Sequence, residues 1–389
     1  MSLLLTVTGH DRPGVTAALF DVLAAHEAVL CDVEQVVVHD RLLLGVVVSG
    51  TGDGAELRRA LLERAAELDV EVEFTPLEDS PAPTAPAARH HVTVLGAPLE
   101  PAAFAGVARR IAACGANIDR VLRLSSYPLA AYDLLVSGGD TARLRAELAA
   151  EAVAQQVDIA VEPASLWRRA RRLVVMDVDS TLVQGEVIEM LAARAGCEAE
   201  VAAVTEQAMA GELDFEASLR ARVALLAGLP VSAVDEVRAQ VRLAPGARTL
   251  VRTLKRLGYA VGIVSGGFTA VTDDLVADLG LDHALANTLE VVDERLTGQV
   301  VGRVVDRARK AEALREFAAL QGVTMAQTVA IGDGANDLDM LAASGLGIAF
   351  NAKPVVRAAA DAALSVPFLD AVLYLLGIPR DEVDAADAE

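Results

Sequence analysis

At 389 residues the chain exceeds what one ordinary core organises, so two or three domains are expected, and 53% hydrophobic residues leave ample material to bury. A formal net charge of -21 excludes non-specific nucleic-acid binding and attraction to an anionic membrane surface, so an anionic ligand must find a local positive site. Three widely separated cysteines, Cys31, Cys114 and Cys197, fit a reducing compartment and read as small buried apolar residues, and no apolar run approaches the ~18 residues of a membrane span. The expectation is a cytoplasmic protein without nucleic-acid or membrane partners.

In chain order, Leu3 to Val7 reads as a strand, followed by a helix carrying Val15, Leu19, Val22 and Leu23 on one face. Strands around Val33 to Val38 and Leu42 to Val48, a helix near Ala55 to Leu68 and a strand at Val70 to Phe74 complete a βαββαβ order. A Pro/Ala stretch, Asp79 to Ala88, then reads as an extended linker. The same order recurs beyond it. Val92 to Leu95 precedes a helix with Phe104, Val107, Ile111 and Cys114 on one face; strands near Ile118 to Leu124 and Ala131 to Val136, a helix from about Thr141 and a strand at Val157 to Val161 follow. A duplicated ferredoxin-like unit is the simplest account.

From Leu173 the pattern changes to short apolar runs alternating with helical stretches, as in a parallel sheet covered by helices. Strands are expected at Leu173 to Met176, Ala260 to Val264, Thr328 to Ile331 and Gly347 to Ala349. The helical segment between the first two, about Gln184 to Leu243, is too long for a simple crossover and reads as an inserted cap. The acidic tail, Asp381 to Glu389, is expected to fray.

Ligands of open α/β sheets bind beyond the carboxyl ends of the strands, and three strand ends here carry chemistry. The first ends in Asp177-Val178-Asp179-Ser180-Thr181, the second in Ser265-Gly266-Gly267, and the third in Gly332-Asp333-Gly334-Ala335-Asn336-Asp337. Paired carboxylates can hold a divalent cation and attack phosphorus; a hydroxyl with unobstructed amides can receive phosphate oxygens. Lys310, near the start of a helical run, supplies the positive charge that the chain otherwise lacks. Alone it reads as an ordinary surface lysine, and each motif alone as turn chemistry; their ordered combination is what is specific.

That ordered set resembles the haloacid dehalogenase superfamily of phosphatases. Within the cap, Glu186, Ala208-Met209 and Asp214 to Val223 narrow the resemblance to the phosphoserine phosphatase family. Phe215, Leu219 and Arg222 fall at i, i+4 and i+7, so one helical face presents an apolar wall and a guanidinium together. The resemblance implies an aspartyl-phosphate mechanism. Asp177 is then the nucleophile and Asp179 the acid/base, with Lys310 and Ser265 stabilising phosphoryl charge. Mg²⁺ is held by Asp177, the backbone carbonyl of Asp179 and Asp333, with Asp337 close by and acting partly through water, and with Thr181 and Asn336 orienting these groups. Phosphoserine would meet Glu186, Met209, Phe215, Arg222, Ser265, Gly266, Lys310 and Asn336, its carboxylate on Arg222 and its ammonium on Glu186. Without the superfamily frame, Phe215 and Met209 read as cap core and Glu186 and Arg222 as helix-surface charges.

The amino-terminal units, with Gly9-His10-Asp11-Arg12-Pro13-Gly14 at the first turn, resemble ACT domains. The second copy has Leu95-Gly96-Ala97-Pro98 there and lacks the Asp-Arg-Pro-Gly sequence. The resemblance implies homodimerisation and an amino-acid effector, serine, with Asp11, Gly14 and Asn117 as effector contacts. A bare dimerisation scaffold is the alternative for these units. The expected architecture is thus α/β: a Rossmannoid parallel-sheet catalytic domain with a helical cap (residues 166–389, cap about 184–243), preceded by two ferredoxin-like βαββαβ (ACT) domains (1–78 and 89–165) joined by linker 79–88. The expected activity is hydrolysis of phosphoserine to serine and phosphate, the last step of serine biosynthesis. A phosphatase of another small phosphomonoester, or a catalytically idle amino-acid sensor, are the rival readings.

Overall fold

The computed structural model describes residues 2–50, 54–77, 88–209 and 212–388, with side chains undescribed at Met209. The expected Pro/Ala linker falls outside the described residues, except Ala88. The chain divides into two compact units, Met1–Pro86 and Ala87–Glu389.

The first unit folds as β1 (Ser2–His10), α1 (Val15–Ala25), β2 (Val29–Val38), β3 (Arg41–Ser49), α2 (Ala55–Glu67) and β4 (Val70–Leu77). Its antiparallel sheet has the order β2-β3-β1-β4. Leu3, Leu5 and Val7 of β1 alternate inward and meet Val15, Leu19 and Leu23 of α1 and Leu57 and Leu61 of α2 in one core. This is the period-2 and period-3.6 patterning read from the sequence. Cys31 on β2 is exposed, contrary to expectation, because β2 is an edge strand with no buried face; Cys114 is buried.

The second unit begins with the repeat: β5 (Arg89–Gly96), α3 (Pro101–Ala113), β6 (Ala116–Ser125), β7 (Ala130–Gly138), α4 (Thr141–Gln155) and β8 (Asp158–Pro163), in sheet order β6-β7-β5-β8. A short helix α5 (Leu166–Arg169) leads to β9 (Leu173–Met176). The cap follows: α6 (Val187–Ala195), α7 (Glu198–Met209), α8 (Phe215–Ala224) and α9 (Val231–Arg238). The body resumes with α10 (Ala247–Arg256), β10 (Ala260–Phe268), α11 (Thr269–Leu279), β11 (His283–Val292), β12 (Arg295–Val301), α12 (Arg307–Leu320), β13 (Thr328–Gly332), α13 (Leu338–Ala343), β14 (Leu346–Phe350), α14 (Pro354–Ala359), β15 (Ala362–Leu364), α15 (Val372–Leu375) and α16 (Arg380–Ala388).

The body sheet has the order β12-β11-β10-β9-β13-β14-β15, with only the β11–β12 pair antiparallel. Three of its strands, β11, β12 and β15, escape the sequence reading, being a partly exposed hairpin and a three-residue edge. The hairpin has a purpose: Gly228 N–H donates to the Leu296 carbonyl (2.8 Å), Leu296 N–H to Leu229 (2.9 Å) and Val231 N–H to Glu294 (2.9 Å), so it fastens the α8–α9 side of the cap. At the other root, Gln184 N–H donates to Arg242 (2.8 Å) and Ala244 N–H to Leu182 (2.9 Å).

The tail also departs from expectation. Its acidic residues form α16, whose Val383 is 2% exposed in the body core, and Asp387 pairs with both Arg252 and Arg256 of α10. Two cations from the neighbouring helix offset the like-charge repulsion that suggested fraying. Among the described residues no helix is long and apolar enough to cross a membrane.

Candidate active site

Register alone gathers the three motifs. Strand β9 is central and wholly buried, and Met176 lies opposite Ile263 of β10 on one side and Ile331 of β13 on the other. Asp177 therefore leaves the sheet beside Val264 and Gly332, one residue short of Ser265 and Asp333. The segment Val178–Leu182 then turns sharply, with Ser180 at φ +57°. That turn folds Asp179 back over the sheet end, where its Oδ1 accepts from Val187 N–H (2.9 Å) and its Oδ2 from Ser265 Oγ–H (3.1 Å).

Beneath this layer lies Lys310. It occupies the buried face of α12, is 0% exposed, and places Nζ 2.7 Å from Asp177 Oδ1 and 2.7 Å from Asp337 Oδ1. Burial by itself would lower its pKa, but the two carboxylates outweigh burial and raise it above the ordinary lysine value. The other oxygen of Asp337 accepts from Gly334 N–H (2.9 Å). A Cβ on Gly332 would sit 2.4 Å from Asp337 Cγ, so only glycine lets that carboxylate fold under the loop. Thr181 Oγ1 donates to Asp333 Oδ1 (2.8 Å).

One cation cannot balance this many acids. Burial, then the charge of Asp337, raises the Asp177 pKa well above the usual carboxylate range despite Lys310. Burial raises Asp179 as well, and pushes Asp333 to about 6. Asp177, Asp333 and Asp337 each offer a carboxylate oxygen, all within 4.8 Å of one another. A hard divalent cation fits three convergent carboxylates that one ammonium only partly offsets.

Cap and body enclose a cavity of about 840 Å³ above these groups. Asp177, Asp179, Asp333 and Asn336 form its floor; Glu186, Phe215, Leu219 and Arg222 line the cap side. Phe215 packs directly on the Ser-Gly loop, since a Cβ on Gly266 would meet its Cζ at 3.0 Å. Burial, followed by the charges of Asp179, Asp333 and Glu189, lifts the Glu186 pKa to about 7. Arg222 donates from Nε to the Ser218 carbonyl (3.4 Å). Glu186 Oε1 accepts from Ser180 Oγ–H (3.4 Å), but neither Arg222 nor Glu186 has an ion-pair partner within 4.0 Å among the described residues, so a donor for a carboxylate and an acceptor for an ammonium share one cavity.

Comparison with known proteins agrees with this geometry. Residues 174–342 match the haloacid dehalogenase-like hydrolase family, and residues 1–75 and 88–162 each match an ACT domain family. A phosphoserine phosphatase from Streptomyces coelicolor is 61% identical over 99% of this chain and 94% of its own. The chain belongs to the phosphoserine phosphatase family. Among solved structures, the unliganded probable phosphoserine phosphatase of Vibrio cholerae covers 74% of this chain and 86% of its own, at 38% identity and a TM-score of 0.60. A phospho-aspartyl intermediate analogue of a phosphoserine phosphatase covers 53% and 98%, at 42% identity and a TM-score of 0.51.

Phosphatases of this superfamily use a divalent metal ion, which accords with the acidic triad. The residues expected from sequence converge, but in two layers: Asp177, Asp179, Glu186, Phe215, Arg222, Gly266, Asp333 and Asn336 border the cavity, whereas Ser265, Lys310, Asp337 and Thr181 are buried behind them. The Met209 side chain lies outside the described residues. Asp11 and Gly14 belong to the first unit, where Asp11 N–H donates to Asp40 (2.7 Å) and Gly14, at φ +94°, caps α1; exposed Asn117 donates from Nδ2 to Asp119 Oδ1 (3.0 Å) in the second unit. None of the three borders the cavity.

Sequence reading missed two cations at the cavity, Arg307 and Lys353, and the cap residue Ser218. The rule that strand ends carry ligands applies equally to β14, three residues before Lys353, and was the available signal. Arg307 pairs with Asp339, while Lys353 is exposed and has no ion pair among the described residues.

Proposed function

We propose that this chain hydrolyses O-phosphoserine to serine and phosphate through a phospho-aspartate at Asp177. The carrying observation is that Arg222 and Glu186, without ion pairs among the described residues, line the cavity that holds Asp177. A substrate bearing phosphate, carboxylate and ammonium fills all three positions.

Asp177 Oδ1 is fixed by Val178 N–H (2.7 Å) and Lys310, leaving Oδ2 as the attacking oxygen. The Asp177–phosphorus bond forms as the bond from phosphorus to the serine oxygen breaks, and Asp179, whose raised pKa favours a held proton, protonates that oxygen. A water then passes its proton to Asp179 and attacks phosphorus, releasing phosphate and restoring Asp177. Ser265 aims Asp179, and Lys310 favours the ionised form of Asp177 against burial and the charge of Asp337. Mg²⁺ is the ion we assign to Asp177, Asp333, Asp337 and the Asp179 carbonyl; bound there, it neutralises charge on the phosphoryl oxygens. A homodimer formed through the ACT units, serine as their effector near Asp11, Gly14 and Asn117, and a cytoplasmic setting complete the reading, in keeping with three free cysteines.

Phosphate release from O-phosphoserine with Mg²⁺ tests it. Asp177→Asn should lower kcat by roughly 10³-fold or more. Arg222→Ala should raise KM for O-phosphoserine roughly 10- to 100-fold and leave phosphoethanolamine, which lacks the carboxylate, nearly unchanged. Equal losses on both substrates would sink the amino-acid assignment.

A further inference from the structure

The loop that follows β14 has two sides. On one side Lys353, Val355 and Val356 border the substrate cavity. On the other, the same segment is tied to the second ACT unit. Arg357 Nη2 lies 3.7 Å from Asp158 Oδ1 on β8, and Asp158, only 4% exposed, also accepts Ser365 N–H at 2.6 Å through its second oxygen. Arg145 of α4 pairs with Asp361 at 3.1 Å, and Asp361 in turn accepts Gly347 N–H of β14 at 3.0 Å. Inside the loop, Arg357 N–H donates to the Lys353 carbonyl (3.1 Å) and Asn351 N–H to Leu364 (2.8 Å). The path from ACT strand to cavity cation is one side chain and one turn of helix.

We propose that Asp158 and Arg357 are positioning residues through which the second ACT unit holds Lys353 against the substrate, with Lys353 a further cationic contact for the anionic substrate. The proposal rests on the phosphoserine reading for its kinetic readout. Its physical basis is that α14, at six residues, is too short to hold itself in place, so its orientation is set by what anchors it. Two contacts hold it: Val356, 0% exposed in the body core, and the ACT unit's buried carboxylate, Asp158, against Arg357. Among the described residues, Lys353 makes no bond to Asp177, Asp179 or Lys310, so loss of the anchor should loosen binding and leave the chemical step alone.

The test uses the full chain and O-phosphoserine with Mg²⁺. Lys353→Met should raise KM roughly threefold to thirtyfold, with kcat held within about twofold. Asp158→Asn and Arg357→Gln should move KM the same way, each should add little in the Lys353→Met background, and Arg357→Lys should recover part of the loss. Hydrogen exchange supplies a readout independent of activity: amides of residues 351–361 should exchange faster in Asp158→Asn and in Arg357→Gln. Should Asp158→Asn fold poorly, Arg357→Gln carries the same test from a partly exposed position. Unaltered KM, fully additive effects or unaltered exchange in folded variants each overturn the proposal. A wild-type protein inert toward O-phosphoserine would instead defeat the functional reading, and the exchange result would still decide whether the anchor exists.

Discussion

The two ACT units share one topology and differ in how many faces they bury. In the first, β1 alternates buried and partly exposed residues along its length, and β2 is exposed from Val29 to Val38. In the second, Val92, Thr93, Val94, Leu95 and Gly96 of β5 are all buried, because the outer face of this sheet packs on the phosphatase body. Leu95, Leu124, Leu129, Ala131 and Ala160 share a core with Leu369, Val372 and Tyr374. Charges are buried at the same seam: Arg168 bonds Asp133 (3.2 Å) and the Leu375 carbonyl (3.3 Å), Arg171 pairs with Glu162, and His91 Nδ1 lies 2.8 Å from Asp133. An identical fold thus serves as a self-contained module in one copy and as a wall of a larger domain in the other. The difference comes from outward-facing side chains, not from the inward pattern that makes the fold.

Breaking the seam should have the largest effect. Asp133→Ala leaves buried Arg168 with only the more distant carboxylate of Glu162, 3.9 Å from its Nε, and takes the carboxylate from His91, which should cost up to about 3 to 5 kcal/mol, read from urea unfolding. A cost below about 1 kcal/mol would mean that the seam is hydrated and the contrast between the units is weaker than drawn.

A second test sets the seam against the cavity, since both bury acids, but the seam pairs Asp133 with Arg168 and His91 whereas Glu186 has no ion pair among the described residues. Burial would raise Asp133, yet His91 and Arg168 hold its pKa below the usual value; its stabilisation is present above the unfolded carboxylate pKa and is lost as pH falls through the lower folded one. Glu186 behaves oppositely. With its folded pKa near 7, the native state retains a proton that the unfolded chain has already released, so stability falls as pH rises from about 4.5 to about 7. Melting temperatures of chelator-treated protein should decline across that window, and Glu186→Gln should flatten the decline. A slope unchanged by the substitution would mean that Glu186 is better solvated than its position implies.

The smallest effect is expected on β2. Val36 is 55% exposed, and Val36→Thr should change unfolding free energy by less than about 0.5 kcal/mol. If instead the variant dissociates a dimer in sedimentation measurements, β2 is the face through which copies of the chain meet.

Much of this was legible from residue order. The apolar periods of both ACT units, the strand ends that carry Asp177, Ser265 and Asp333, and the helical face with Phe215, Leu219 and Arg222 all arise from short-range patterning. What escaped was non-local. The β11–β12 hairpin is stabilised by backbone bonds to the cap, 60 or more residues earlier in the chain, and α16 depends on two arginines of α10 to offset its acidity. Lys353 joins the cavity only when β14 takes its place beside β13.

The sequence by itself determined which chemical groups this protein owns and the elements that carry them, because periodicity and turn chemistry act within a few residues. Only the tertiary structure decided which groups stand at the surface of the cavity and which lie behind it. Lys310 is the clearest instance: its place on α12 was readable, but its complete burial between Asp177 and Asp337 exists only once β9, β13 and α12 have packed together, where low local polarity makes one ammonium count against two carboxylates.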